Sequence, residues 1–328
     1  MHFSRWTAAL SCAFTLFAET LPVPRGLDTY VPVPASNPLR RESVEVGRAL
    51  FFYRGLSSDG SLSCASCHLP ERSFTDGRST AIGVRGRKGP RRTPPILNRA
   101  WGKAFFWDGR AATLEEQVLQ PIMNPLEMDL LLRDIVPRVN GDADLRAKMT
   151  QVFGRNPEVQ DVANALASYV RSILSGDSPY DAYLAGDRNA LTQEQRLGLA
   201  LFRGKANCVA CHPGTNLTDE QFHNTGVGFR EGGWMDTGRI AVSGLEKDRG
   251  SFKTPGLRQV AATAPYMHNG SLPALEDVIE YYDKGGHPNS FLDPEIQELH
   301  LTAGEKRALA AFLRSLSGKV SEGWPGSH

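Results

Sequence analysis

The sequence predicts a mostly α-helical protein made of two tandem copies of one domain, and three observations carry that expectation. The pentapeptide Cys-x-x-Cys-His occurs twice, at 64–68 and 208–212. Flanking segments recur in the same order around each copy. Apolar residues recur with helical spacing in each half, and no stretch alternates convincingly as a strand.

Taken in chain order, positions 1–20 read as a signal peptide. Arg5 gives a positive start, and the mostly apolar run 6–18 is too short to span a bilayer but suits a signal-peptide core. Cleavage near Ala18 is expected, although Leu16 matches the small-residue rule poorly. A disordered tail, or a lipoprotein signal with Cys12 as the lipidated residue, are the alternatives. No later segment is long and apolar enough to cross a membrane, so the mature chain is expected to be soluble and periplasmic.

The first domain is expected over 40–183. It opens with "GRALF" at 47–51, followed by the first pentapeptide and "FTDG" at 74–77. Thr113 and Glu116 form a capping-box pattern that opens a helix, which Pro121 is expected to stop. A last helix is expected over 159–174, ending before Gly176. The linker is expected at 176–190, with Gly186, Asp187 and Asn189 as its softest part. The second domain, 190–320, repeats the order. It has "GLALF" at 198–202, the second pentapeptide, "LTDE" at 217–220 and a closing helix over 305–316, before Gly318. Segment 93–118 aligns without a gap on 254–279, an offset of 161, and "ALASYVRS" from Ala165 matches "ALAAFLRS" from Ala308. Three blocks in one order imply an internal duplication.

The 328 residues suffice for two buried cores. A net charge of +1 gives no reason to expect nucleic acid or an anionic membrane as partner. Four of the five cysteines lie in the pentapeptides. A Cys-x-x-Cys pair can be a redox dithiol, half a zinc site or a haem attachment point, and the following histidine favours the last. The two thiols then form thioethers with the haem vinyls, while the histidine turns back to bind iron. A zinc ribbon built from both pairs is the alternative. The expectation is two covalent c-type haems. Cys64, Cys67 and His68 hold the first; Cys208, Cys211 and His212 hold the second. Attachment outside the cytoplasm agrees with export.

The offset of 161 separates the two irons. Leu275, Val278, Ile279 and Tyr282 fall on one helical face, while Tyr281 points about 100° away. The position matching Tyr282 in the first half is Pro121, whose ring cannot bind iron. One haem is then six-coordinate and the other open, unless Tyr282 is only a core tyrosine.

Over 46–316 the sequence resembles the bacterial di-haem cytochrome c peroxidases and the related MauG-type enzymes. "FFWDGR", "LEEQVLQPIMNPLEM", "FKTPGLRQVAATAPYMHNG" and "LEDVIEYYDKGG" carry the resemblance with the two pentapeptides. It implies two cytochrome c-like haem domains, the first reacting with hydrogen peroxide and the second relaying oxidising equivalents. It implies that Trp107 sits between the haems, that Gln117 and Glu127 lie over the peroxide site, and that Pro121 lines that pocket. Tyr282 falls where the peroxidases use an axial methionine and the MauG type a tyrosine, with Met267 and Met235 as reserve ligands. The distal histidine that closes many peroxidases is replaced by Val84. Family members hold calcium between the haems. Thr263 and Pro265 match its carbonyl donors, but Arg92 stands in place of the asparagine, and a guanidinium repels the cation. Arg92 is a candidate partner of a haem propionate, and the rest of 85–92 is expected to be a solvated loop. His223 and His268 are read as propionate partners or supports of the haem ligands.

The implied function is peroxide reduction with electrons from a small cytochrome or cupredoxin. A MauG-type maturase that oxidises side chains of a partner protein is the first alternative. A di-haem electron carrier is the second, and Pro121 and Val84 argue against it.

Overall fold

The computed structural model describes residues 20–326. The expected leader, with Cys12, lies outside the described residues except for its last position. The described residues form ten α-helices: α1 Arg41–Phe52, α2 Leu114–Met123, α3 Leu132–Gly141, α4 Ala143–Phe153, α5 Val159–Arg171, α6 Pro179–Leu184, α7 Gln193–Arg203, α8 Ile240–Ser243, α9 Leu275–Asp283 and α10 Ala303–Arg314. Long loops with single 3-10 turns join them. Six strands of two or three residues pair antiparallel as β1 Leu174–Gly176 with β6 Lys319–Ser321, β2 Phe222–His223 with β5 Phe252–Lys253, and β3 Phe229–Arg230 with β4 Gly233–Trp234. Among the described residues, no helix is long and apolar enough to cross a membrane.

Two apolar cores organise the chain. In the first, α1 buries Val44, Gly47, Leu50 and Phe51 against Val162, Leu166 and Tyr169 of α5. In the second, α7 buries Gly198, Leu201 and Phe202 against Ala308, Leu309 and Phe312 of α10. These residues share one face of each helix, and each large side chain so buried contributes about 1.5–3 kcal/mol. Glycine sets the approach in both pairs. A Cβ on Gly47 would lie 1.9 Å from the Ala165 carbonyl oxygen, and one on Gly198 would lie 1.9 Å from that of Ala308. The helices therefore touch backbone to backbone.

Backbone detail repeats at the same offset of 161. Helices α2 and α9 begin at Leu114 and Leu275. Asn98 and Gln259 take positive φ of 55° and 59°, and Phe106 and Met267 take 67° and 68°. The bridge Phe105–Ala111 has its counterpart in Tyr266–Leu272.

Two expectations of element boundaries need correction. Helix α2 does not stop at Pro121 but continues to Met123. A proline in the last turn removes only its own donor, and Asn124 N–H closes the turn on the Gln120 carbonyl at 2.9 Å. The span 176–190 is not a plain linker, because it contains α6. Ser178 caps that helix, its N–H and hydroxyl both donating to Asp181 Oδ2 at 2.9 and 2.7 Å.

Asp181 also anchors the halves. Arg258 reaches it with two bonds of 2.8 and 3.0 Å, both side chains being buried, and donates further to the carbonyls of Gly26 and Thr215. Arg99 clasps Glu220 at 2.8 and 2.9 Å, and Arg91 clasps Asp236 at 2.7 and 2.9 Å. The expected solvated loop is exposed at 85–88 and 90, where Arg85 and Arg87 bind Asp129 at the surface, and only its end departs: Arg91 is a half-buried cross-half partner and Arg92 is buried. Asp181→Ala leaves the Arg258 guanidinium buried without its anion. Urea unfolding of this variant should show a loss of about 3–5 kcal/mol.

Candidate active site

Each pentapeptide folds as one 3-10 turn that brings its histidine back over the cysteines. His68 N–H donates to the Cys64 carbonyl at 2.9 Å, and His212 N–H to that of Cys208 at 3.0 Å. Both imidazoles are then fixed by a backbone acceptor. His68 Nδ1 meets the Phe74 carbonyl at 2.9 Å, and His212 Nδ1 meets the Leu217 carbonyl at 2.8 Å. Phe74 and Leu217 hold positive φ of 60° and 54°. A carbonyl acceptor requires Nδ1 to carry the proton, which leaves Nε2 as the free lone pair. Burial pushes both imidazoles down, His212 to about 4, so both are neutral.

A cavity of about 530 Å³ opens above Cys64, Cys67 and His68. Gln117 and Pro121 of α2 line it, as does Glu127 from the loop that follows. Asn124 Nδ2 donates to Glu127 Oε1 at 2.7 Å, and burial pushes the Glu127 carboxyl up. Asn124 escaped the sequence reading, although the Asn-Pro pair three residues before the glutamate was its signal. Val84 requires a correction. It is buried, but Ala81, Ile82 and Gly83 reach the cavity in its place. Its N–H bonds the Glu127 carbonyl at 2.8 Å and so holds the loop that carries the carboxylate. His68 is the only histidine among the described residues lining the cavity.

Trp107 lies between the halves. Its Nε1–H donates to the Arg92 carbonyl at 3.1 Å, and its own carbonyl accepts Lys253 N–H at 2.8 Å. Lys253 and Pro255 bring the second half to the same cavity.

Around the second pentapeptide, burial pushes the Tyr282 phenol above its usual range, and Tyr281 and the Cys211 and Cys208 sulfurs add to the effect. Tyr281 is engaged elsewhere, its hydroxyl donating to the Thr225 carbonyl at 2.7 Å. Met235 is 78 % exposed directly after β4, which removes it as a reserve ligand. Met267 is half-buried in a left-handed turn. His223 is held between Asp293 at 2.6 Å and Asp219 at 2.8 Å. Cys211 and these carboxylates push it up to about 10 against the effect of burial. His268 stacks on Phe252 at 3.6 Å, and burial pushes it down to about 4.

Arg92 is buried between the halves. Its Nη2 donates to the Thr263 carbonyl at 2.6 Å, while Nε has no partner. Thr93 Oγ1 is likewise buried without one, and both residues line the cavity. Paired thiols, a neutral imidazole with free Nε2, a cavity of cofactor size and unpartnered donors suited to acidic groups fit a haem at the first site. The second site offers the same thiol and imidazole set, with a phenol in addition.

Known proteins agree. The family model "Di-haem cytochrome c peroxidase" matches residues 41–189, and a "RoxA-like, cytochrome c-like" model matches 251–284. The methylamine utilization protein MauG of Methylorubrum extorquens is 40% identical over 88% of this chain and 82% of its own. The cytochrome c551 peroxidase of Nitrosomonas europaea is 34% identical over 88% of this chain and 83% of its own. The crystal structure of a MauG-like protein associated with microbial copper homeostasis superposes with a TM-score of 0.82 at 34% identity, covering 94% of this chain and 96% of that one. The diheme peroxidase BthA from Burkholderia thailandensis shares the fold, with a TM-score of 0.74 at 24% identity over 88% and 89% of the two chains. With its helix-rich fold and its two Cys-x-x-Cys-His sites, the chain belongs to the di-haem cytochrome c peroxidase family and is a haem oxidoreductase of the peroxidase type.

Proposed function

We propose that this chain is an exported, periplasmic peroxidase that carries two covalent haems and reduces hydrogen peroxide with electrons from a small cytochrome or cupredoxin. The first haem is held by Cys64, Cys67 and His68, and the second by Cys208, Cys211, His212 and Tyr282. One observation carries the assignment of roles. At matching positions of α2 and α9 stand Pro121, which has no donor, and Tyr282, which has a phenol. The domains are 40–183 and 190–320, products of one internal duplication. Two separate cores and turn conformations repeated at one offset support this. Calcium is not part of this reading, because Arg92 already places a guanidinium on the Thr263 carbonyl. The 40% identity to a MauG protein favours a second reading, in which the electrons come from side chains of a protein undergoing maturation.

When bound, the first haem supplies an iron at which peroxide is reduced. Glu127 would take a proton from one peroxide oxygen and return it to the other, which would leave as water. Asn124 holds the carboxylate in place for both transfers, and Gln117 orients the oxygens. Pro121 and the Ile82–Gly83 loop keep the remaining wall free of competing donors. Trp107, bonded to both halves, passes oxidising equivalents towards the second site. Tyr282 as an anionic oxygen ligand favours the oxidised metal there.

The fully ferric protein should respond to stoichiometric peroxide on mixing, without prior reduction. Stopped-flow spectra that stay unchanged until one haem is reduced would reject the open first site. Glu127→Gln should lower kcat/KM for peroxide on the order of 10²–10⁴-fold. Because burial raises the Glu127 pKa, its proton-accepting form is lost as pH falls through that raised value. The wild-type rate should fall there, and the variant should lack that acid limb. Tyr282→Phe should convert the second haem from low to high spin in the electron paramagnetic resonance spectrum, whereas Tyr281→Phe should leave it unchanged.

A further inference from the structure

Helices α5 and α10 differ at one informative place. Tyr169 and Phe312 occupy matching positions, each with its Cβ close to the glycine that seats the facing helix, Gly47 or Gly198. Each ring packs at a steep angle against a phenylalanine of that helix. Phe51 lies 5.0 Å from Tyr169 at 61°, and Phe202 lies 5.1 Å from Phe312 at 60°. The packing is the same, and only the first half carries a hydroxyl.

That hydroxyl is fully buried in the first core, and it donates to Glu322 Oε2. Arg48 Nε lies 3.4 Å from the same oxygen. The Glu322 side chain is 20 % exposed, so a proton arriving there has a route to solvent. On its other side Tyr169 faces the haem ligand. The Phe51 ring is 6.4 Å from His68, and the Phe74 ring, whose backbone carbonyl holds His68 Nδ1, is 6.3 Å from Phe51. A buried phenol with a carboxylate acceptor thus sits two ring contacts behind the iron-binding imidazole.

We propose that Tyr169 is a redox-active tyrosine that gives one electron to the first haem from its histidine side, while its hydroxyl proton passes to Glu322. The inference rests on the reading that the first site reacts with peroxide. The step balances. Peroxide is the oxidant, and reducing it to two waters takes two electrons and two protons. Tyr169 supplies one electron, the external donor supplies the other, and solvent supplies the two protons. Its O–H bond breaks, the proton moves to Glu322 Oε2, and a neutral tyrosyl radical remains. One electron from the external donor, with return of the proton, restores the phenol. A positioned carboxylate makes this loss possible inside an apolar core, because no charged phenol is left behind. The second half, with Phe312, cannot take this step, so this exit for an oxidising equivalent belongs to the first half and is separate from Trp107.

The test uses the ferric holoprotein, made with ring-deuterated tyrosine in one arm and mixed with one equivalent of peroxide without donor. Freeze-quenched samples are read by electron paramagnetic resonance, and haem absorbance is followed in parallel. The wild type should give a radical signal that narrows on deuteration. Tyr169→Phe should lose it and still fold with full haem content, since phenylalanine already fills the matching place in the second half. Glu322→Gln keeps a hydrogen-bond acceptor but not a proton acceptor, and should also lose the signal. In both variants the haem spectrum should still respond to peroxide. A tyrosine radical that persists in Tyr169→Phe overturns the proposal, and so does a wild type whose haem responds without forming one. A wild type whose haem does not respond overturns the open first site beneath it.

Discussion

The bond from each pentapeptide histidine to a backbone carbonyl is the constraint on which the rest depends. A metal-binding imidazole must be neutral, and it must present one defined nitrogen. In this chain a residue in the left-handed conformation turns its carbonyl onto Nδ1 of His68 and of His212. The apolar helix pairs behind them exclude water, and that keeps the imidazoles neutral. Packing and chemistry are therefore one problem here. The helices approach as closely as glycine allows, and the burial so created sets the protonation state of the ligands.

On this common frame the halves differ by a few side chains. Pro121 against Tyr282, Trp107 against His268 and Tyr169 against Phe312 occupy matching places with different chemistry. None of these exchanges disturbs the backbone, which keeps its turns and helix starts in register. One repeated backbone can thus carry unlike side-chain sets around its two Cys-x-x-Cys-His sites. The cross-half ion pairs Arg258–Asp181, Arg99–Glu220 and Arg91–Asp236 fix how the two face each other, with Trp107 and Arg92 caught between them.

Much of this was legible in the sequence because it is periodic or local. Two pentapeptides, helical spacing in α5 and α10, and the register that separates Tyr282 from Tyr281 depend only on neighbours along the chain. The reading failed where distance along the chain hides a partner. Arg91 looked like one charge in a basic loop, because nothing marks Asp236, far along the chain, as its counterion. The span holding α6 looked like a linker, although Ser178 and Asp181 form a capping box. Pro121 looked like a helix stop, but a proline in the last turn costs one donor only. Val84 was read as the replacement of a distal histidine, whereas its side chain is buried away from the cavity. Tyr169 was plain in the aligned helices. It became informative only when the fold brought Glu322 to it.

The strand pair β1–β6 bears on how the protein is made. Residues 319–324 leave the second half and return to the first, where β6 completes the pairing of β1, Glu322 meets Tyr169 and Trp324 enters the first core. The half synthesised first is thus completed by residues synthesised after the second half. Until they emerge, β1 has an open edge and the Tyr169 hydroxyl lies in an apolar core without an acceptor. Native closure of the first half must wait for residues 319–324, which leaves the Cys64–His68 segment in a looser environment until they arrive.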